Sequence, residues 1–192
     1  MQKHSDFKDF VEITPTAKLA VESHGGRAKC LQRLIRIDLP VPRTVALSFD
    51  AVHRMADGHL PDTKAILARF DADPLLSVRP SSEDPDWGGP GAVLNIGMND
   101  ARHAALAERI DRARANALYL RFVQGYAINV ARLDPDMFVA TEATDTALRE
   151  ALDTYEMETE EPFPQDPAVQ LAEVLRSMAR AWQGTSARLL RQ

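Results

Sequence analysis

Apolar and polar residues alternate along this chain in short blocks, and each block predicts an element. Phe7 to Ile13 reads as a first strand that ends at Thr14-Pro15. Arg27 to Arg36 carries Cys30, Leu31, Leu34 and Ile35 at helical spacing, which predicts an amphipathic helix with those four residues inward. Leu39-Pro40-Val41-Pro42 stops it, because proline cannot continue a helix and forces its predecessor to extend. Thr44 to Ser48 predicts a strand, and Phe49 to Met55 and Asp62 to Arg69 predict helices separated at Gly58 and Pro61. Leu75 to Arg79 reads as a buried strand that delivers a cation to a glycine-rich loop, and Ala92 to Ile96 as the strand after that loop.

The pattern changes at Asn99. Asp100 to Leu133 is rich in Ala, Arg and Leu and predicts two helices, 101–115 and 116–132, with Asn99 or Asp100 as cap. Asp145 to Glu156 is a further amphipathic helix with Leu148, Leu152 and Tyr155 on one side. The acidic run Glu156 to Glu161 reads as a solvated face. Asp166 caps a last helix with Pro167 in its first position, running to Trp182 with Leu171, Val174, Leu175 and Met178 inward. The organisation expected is an α/β lobe at 1–99 and 167–192, with a helical insertion at 100–166.

Composition narrows the classes. The chain has 192 residues, 45% apolar and 27% charged, an ordinary globular balance. Net charge is −5 with no basic block, which argues against a nucleic-acid protein while allowing a local basic pocket. One cysteine, Cys30, permits no intrachain disulfide and reads as a small buried hydrophobe. The polar N-terminus carries no signal-peptide pattern, and no apolar run reaches the roughly 20 residues of a membrane span. A cytoplasmic protein is expected.

Two stretches could carry chemistry. Gly25-Gly26 opens a helix that bears Arg27 and Lys29. Backbone N–H groups at such a start bind anions, and glycine permits close approach; the plainer reading is a Gly-Gly turn with solvated cations. This is not a Walker A loop, since the Gly-x-x-x-x-Gly-Lys-Ser/Thr spacing is absent. Arg79 either pairs with Glu83 or Asp84 or binds phosphate, and Ser81, Ser82, Gly88, Gly89 and Gly91 form either a phosphate cover or an ordinary surface loop. Glu83 and Asp84 as a magnesium or acid–base pair, and His24 as a nucleophile, are the weaker readings.

Gly25-Gly26-Arg27-Ala28-Lys29-Cys30-Leu31 with Leu39-Pro40-Val41-Pro42 resembles the N-terminal motif of the pyruvate phosphate dikinase and phosphoenolpyruvate synthase family. That pattern is Gly-Gly-Lys-Gly-x-x-Leu, followed by Leu-Pro-Val-Pro-Pro-Gly-Phe. Ser77-Val78-Arg79, Gly89-Pro90-Gly91 and Leu94-Asn95-Ile96-Gly97 resemble its Ser-Val-Arg-Ser, Pro-Gly and Leu-Asn-x-Gly signature. Arg121-Phe122-Val123-Gln124, Phe163-Pro164-Gln165-Asp166-Pro167 and Arg180-Ala181-Trp182 follow in the family's order. The resemblance implies the N-terminal half of an ATP-grasp domain, an α+β fold with a mixed sheet, that uses ATP and magnesium. It implies that Gly25, Gly26, Arg27, Arg79, Ser81, Gly89 and Gly91 contact nucleotide phosphates. Arg27 stands where the family has lysine, Ala28 where it has glycine and Pro80 where it has serine. The chain reaches Gln192 without the family's second ATP-grasp half, phosphohistidine domain or pyruvate-binding barrel. The magnesium ligands are expected in that missing half. The function expected is therefore an ATP-binding portion, incomplete for catalysis alone and partnered by the remaining domains of a longer chain. The alternative is a stand-alone, non-catalytic nucleotide-binding or regulatory module.

Overall fold

A computed structural model describes residues 9–81 and 91–184. Among them the predicted blocks become four strands and seven α-helices. These are β1 (Phe10–Glu12), α1 (Val21–Arg36), β2 (Val45–Leu47), α2 (Phe49–Ala56), α3 (Thr63–Leu67), β3 (Leu76–Val78), β4 (Val93–Ile96), α4 (Asp100–Arg109), α5 (Arg112–Tyr126), α6 (Asp145–Thr159) and α7 (Pro167–Gln183). The fold is mixed α+β. Its two sheets are small antiparallel pairs, β1 with β2 and β3 with β4, where the sequence reading anticipates one mixed sheet. The described chain divides into two compact units, 9–70 with 81 and 179–184, and 71–80 with 91–178.

In the first unit β1 and β2 pair through Phe10↔Leu47, Val11↔Ala46 and Glu12↔Val45. Ile13, Leu19, Ala28 and Ala46 form its core, with Val11, Ala17, Leu31 and Ile35 packed against them. The inward face of α1 is therefore Ala28, Leu31, Gln32 and Ile35: Leu31 and Ile35 lie inward as expected, and Cys30 does not. Cys30 is exposed. Buried Gln32, bonded to the carbonyls of Thr14 and Ala17, takes the inward place and leaves Cys30 outside; upstream, Gly25 kinks the helix at φ 81, ψ 164. At the other end Asp38 adopts φ 59, and Leu39 N–H returns to Leu34 O at 3.1 Å, which closes the helix before the prolines. Ser48 caps α2 by accepting from Ala51 N–H at 3.2 Å, so the strand passes directly into the helix. Trp182 packs on Phe49 with ring centroids 5.3 Å apart.

In the second unit α5 is the central element, with Ala115, Tyr119, Leu120, Phe122, Val123 and Tyr126 buried. Phe163 joins Tyr119, Phe122, Tyr126 and Tyr155 at centroid distances of 5.1 to 6.0 Å, mostly edge-to-face. The break between α4 and α5 falls at Ile110-Asp111, earlier than the periodicity suggests. Asp111 accepts from Arg114 N–H at 2.7 Å and so starts a new helix there. The expected Asp166–Pro167 start of α7 is present, with Asp166 Oδ1 accepting from Ala168 N–H at 2.7 Å. β3 is half-exposed rather than buried, with Ser77 open to solvent.

The turn after β4 explains two residues of the Leu-Asn-x-Gly stretch. Asn95 takes φ 61, a left-handed conformation that asparagine tolerates, and its Nδ2 donates to Leu118 O at 3.1 Å. Gly97 takes φ 103, and a Cβ there would lie 2.5 Å from Pro74 O. Its N–H donates to Gln170 Oε1 at 2.8 Å, while Gln170 Nε2 donates to Met98 O and Pro164 O. Gln170 is 0% exposed. Gly97→Ala is expected to lose about 2–4 kcal/mol of stability, from backbone strain plus the collision with a fixed carbonyl, measured by urea denaturation of the variant and wild type.

Candidate functional site

The glycine pair lies inside α1. Gly25 is buried and occupies a backbone region that is essentially glycine's alone. This reset sets the direction of residues 26–36, and it turns Ala28 into the core. Arg27 is exposed and has no ion-pair or hydrogen-bond partner among the described residues. Its planar, always-charged guanidinium suits bidentate contact with a phosphate. Lys29 is occupied elsewhere: its Nζ donates to Leu19 O and to Gln32 Oε1, both at 3.0 Å.

His24 precedes the kink. Its Nδ1 lies 2.8 Å from Ser23 Oγ, and burial pushes the imidazole below its ordinary value of 6.5. Desolvation penalises the charged ring. This is a neutral histidine paired with its neighbour, and no further group that would make it a nucleophile is arranged around it among the described residues.

Arg79 follows β3 directly, is exposed, and has no partner among the described residues. Ser81 accepts from Trp182 Nε1 through its carbonyl at 3.2 Å, and its buried Oγ has no hydrogen-bond partner among the described residues. A buried hydroxyl left without a partner is uncommon in a native fold. Gly91 is exposed with open space where a Cβ would stand, so nothing there demands glycine sterically. Ser82, Glu83, Asp84, Gly88 and Gly89 lie outside the described residues. Of the expected site residues, Gly25, Gly26, Arg27 and Ser81 belong to the first unit, and Arg79 and Gly91 to the second.

In the first unit, an exposed guanidinium, Arg27, follows the glycine kink of α1, and a guanidinium is a donor suited to anionic oxygen. Among the described residues no group of three or more His, Cys, Asp or Glu side chains could hold a metal ion. No helix among them is long and apolar enough to cross a membrane. An open depression of about 450 Å³ beside residues 38–43 contains none of the expected site residues.

Sequence reasoning missed the buried glutamines. Gln32 sits at the i+4 position from Ala28 on the inward face, and a polar residue inside an apolar stripe is the signal that could have found it. It also missed a polar ladder across three helices: Arg112 and Asn116 of α5 both donate to Asp145 of α6, and His103 of α4 meets Asn116 Oδ1 at 2.6 Å. The hydrogen bond from Arg112, with that from Asn116, holds the Asp145 carboxyl below its ordinary value.

No protein-family model matches the chain. It is 25% identical over 200 residues to a pyruvate, phosphate dikinase of Entamoeba histolytica, a match that takes in 85% of this chain and 23% of that protein. It is 32% identical over 127 residues to a pyruvate, phosphate dikinase of Rhizobium meliloti, covering 56% of this chain and 14% of that protein. The similarity is weak and partial, and the chain spans less than a quarter of the length of either relative.

The His24 environment sets a pH dependence. The unfolded imidazole titrates near 6.5 and the folded one lower, so between the two values the unfolded chain binds more protons. The contribution is fully present above 6.5 and is lost as pH falls through the folded value. Urea denaturation between about pH 7.5 and 5.5 is expected to show a loss of stability that His24→Gln reduces; an unchanged slope in the variant would assign that loss to other groups.

Proposed function

We propose that this chain is the ATP-binding portion of a pyruvate phosphate dikinase-like phosphotransferase, with an ATP-grasp fold. In this reading residues 1–99 and 167–192 form the nucleotide-binding lobe, and 100–166 is a helical insertion. Gly25 and Gly26 let the backbone approach a phosphate. Arg27 and Arg79 neutralise it, and Ser81, Gly89 and Gly91 belong to the loop that covers it. The observation that carries the reading is the junction at Gly25: a glycine-only conformation two residues before an exposed arginine that has no partner among the described residues. It falls within the Gly-Gly-basic stretch that resembles the dikinase motif, and similarity to a dikinase takes in 85% of the chain.

In the family's reaction ATP with magnesium supplies the phosphoryl group. The chain's own described residues supply binding and orientation. Phosphoryl transfer depends on metal-held geometry around the reacting groups, and the magnesium ligands in this reading lie in the second half of the domain. The chain by itself binds without turning over, and its partners are the remaining domains of a longer protein.

The arginine in the lysine position favours a second reading, a nucleotide-binding or regulatory module without catalysis. Arginine keeps the charge, but its rigid fork does not reproduce the point contact of an ammonium. Both readings require nucleotide binding, and a purely structural domain does not.

Calorimetric titration with ATP, with and without magnesium, is the test. Binding is expected, and Arg27→Ala and Arg79→Ala are each expected to weaken it about tenfold or more, as for a lost charge-assisted hydrogen bond. Unchanged affinity in Arg79→Ala would remove that residue from the site. Phosphate release from ATP is expected at background, and clear turnover would overturn the incomplete-site argument.

A further inference from the structure

The segment between β1 and α1, residues 13–20, has no regular helix or strand, so its carbonyls lack ladder partners. Four side chains of α1 meet five of them: Arg36 Nε donates to Pro15 O at 2.8 Å and Ser23 Oγ to Ala20 O at 3.4 Å, and Gln32 and Lys29 meet the other three. Gln32 Nε2 donates to Thr14 O at 3.0 Å and to Ala17 O at 2.7 Å. Lys29 Nζ donates to Leu19 O at 3.0 Å and to Gln32 Oε1 at 3.0 Å. Both amide hydrogens and the amide oxygen of Gln32 are thus engaged, and the residue is 0% exposed. The bonds form one connected strut from α1 to three points of the segment that leads into the Gly25 kink.

The motif arithmetic leaves two cations for one role, since Arg27 stands in the lysine position and a lysine follows two residues later. Helical geometry separates them. Two residues correspond to about 200° of rotation on a 3.6-residue turn, so the two side chains leave α1 on nearly opposite sides. Lys29 could reach a phosphate only by leaving Leu19 O and Gln32 Oε1 without this donor.

We propose that Lys29 and Gln32 are positioning residues for the phosphate site at Gly25–Arg27. They hold segment 14–19 on α1 and so fix the path by which the chain enters the kink, while Arg27 meets the ligand. The inference rests on the phosphate-site reading given under Proposed function. It adds that the lysine of this motif acts through the backbone and not on the nucleotide.

The test uses the full chain and the variants Arg27→Ala, Lys29→Met and Lys29→Arg. It measures ATP affinity at several salt concentrations and amide hydrogen exchange across residues 13–20. Arg27→Ala is expected to weaken binding and flatten its salt dependence, because a charge facing the ligand has gone, and to leave exchange unchanged. Lys29→Met is expected to speed exchange across 13–20 and to weaken binding about five- to tenfold with the wild-type salt dependence. Lys29→Arg keeps donors at the same place and restores most of both. Should Lys29→Met fail to fold, Lys29→Gln, too short to reach Leu19 O, reads the same contrast. The proposal is overturned if Lys29→Met flattens the salt dependence while exchange stays unchanged, or if it changes neither affinity nor exchange. A wild-type chain that binds no ATP overturns the site itself, an outcome distinct from either of these.

Discussion

Irregular backbone that packs against a helix must find its hydrogen-bond partners inside the protein, and each unit of this chain answers that demand with one buried glutamine. Gln32 on α1 supports the carbonyls of Thr14 and Ala17, with Lys29 extending the reach to Leu19. Gln170 on α7 accepts from Gly97 N–H and donates to the carbonyls of Met98 and Pro164. Both are 0% exposed. An amide side chain suits the task because it both donates and accepts, so it can bridge segments that an apolar side chain could only press against. An apolar residue at either place would keep the packing and take donors from carbonyls: Ala17 O in the first unit, Met98 O and Pro164 O in the second.

Much of the element pattern was legible because it rests on local rules. The strands at β1 to β4, the cap and proline at the start of α7, and its inward face of Leu171, Val174, Leu175 and Met178 follow from alternation, periodicity and turn chemistry. The α4–α5 break was misplaced because Asp111 reads equally well as a surface residue and as a cap; only the bond to Arg114 N–H decides. The face of α1 was legible in half: Leu31 and Ile35 follow from apolar spacing, whereas the buried place of Gln32 rests on its bonds to Thr14 O and Ala17 O, which a hydropathy pattern does not register.

The candidate site divides into conformation, which the backbone accounts for, and phosphate contact, which belongs to the proposal. Asn95 and Gly97 belong to the most family-like stretch, but their residue types are accounted for by the backbone: a left-handed asparagine that also braces Leu118, and a glycine pressed against Pro74. Gly25 is likewise required by its dihedral angles. Gly91 is not, since it has open space around it and no positive φ. Glycines of one motif therefore differ in kind, and only their backbone angles distinguish a glycine the fold requires from one it merely contains.

Arg27 and Ala28, standing where the resembling dikinase pattern has lysine and glycine, form one arrangement. The methyl of Ala28 is buried with Ile13, Leu19 and Ala46, so the position that offers backbone freedom in the dikinase pattern is here used to pack α1 on the sheet. Packing that face commits Lys29 and Gln32 to the strut beside it, because residues 28, 29 and 32 bind the same preceding segment. What remains open to solvent at the kink is Arg27. In the proposed phosphate site, a helix start held this firmly would need less of the side chain facing the ligand, since its backbone is held in place before any ligand arrives. A guanidinium on a rigid start can supply charge and direction at once, whereas a flexible ammonium would depend on the ligand to order it.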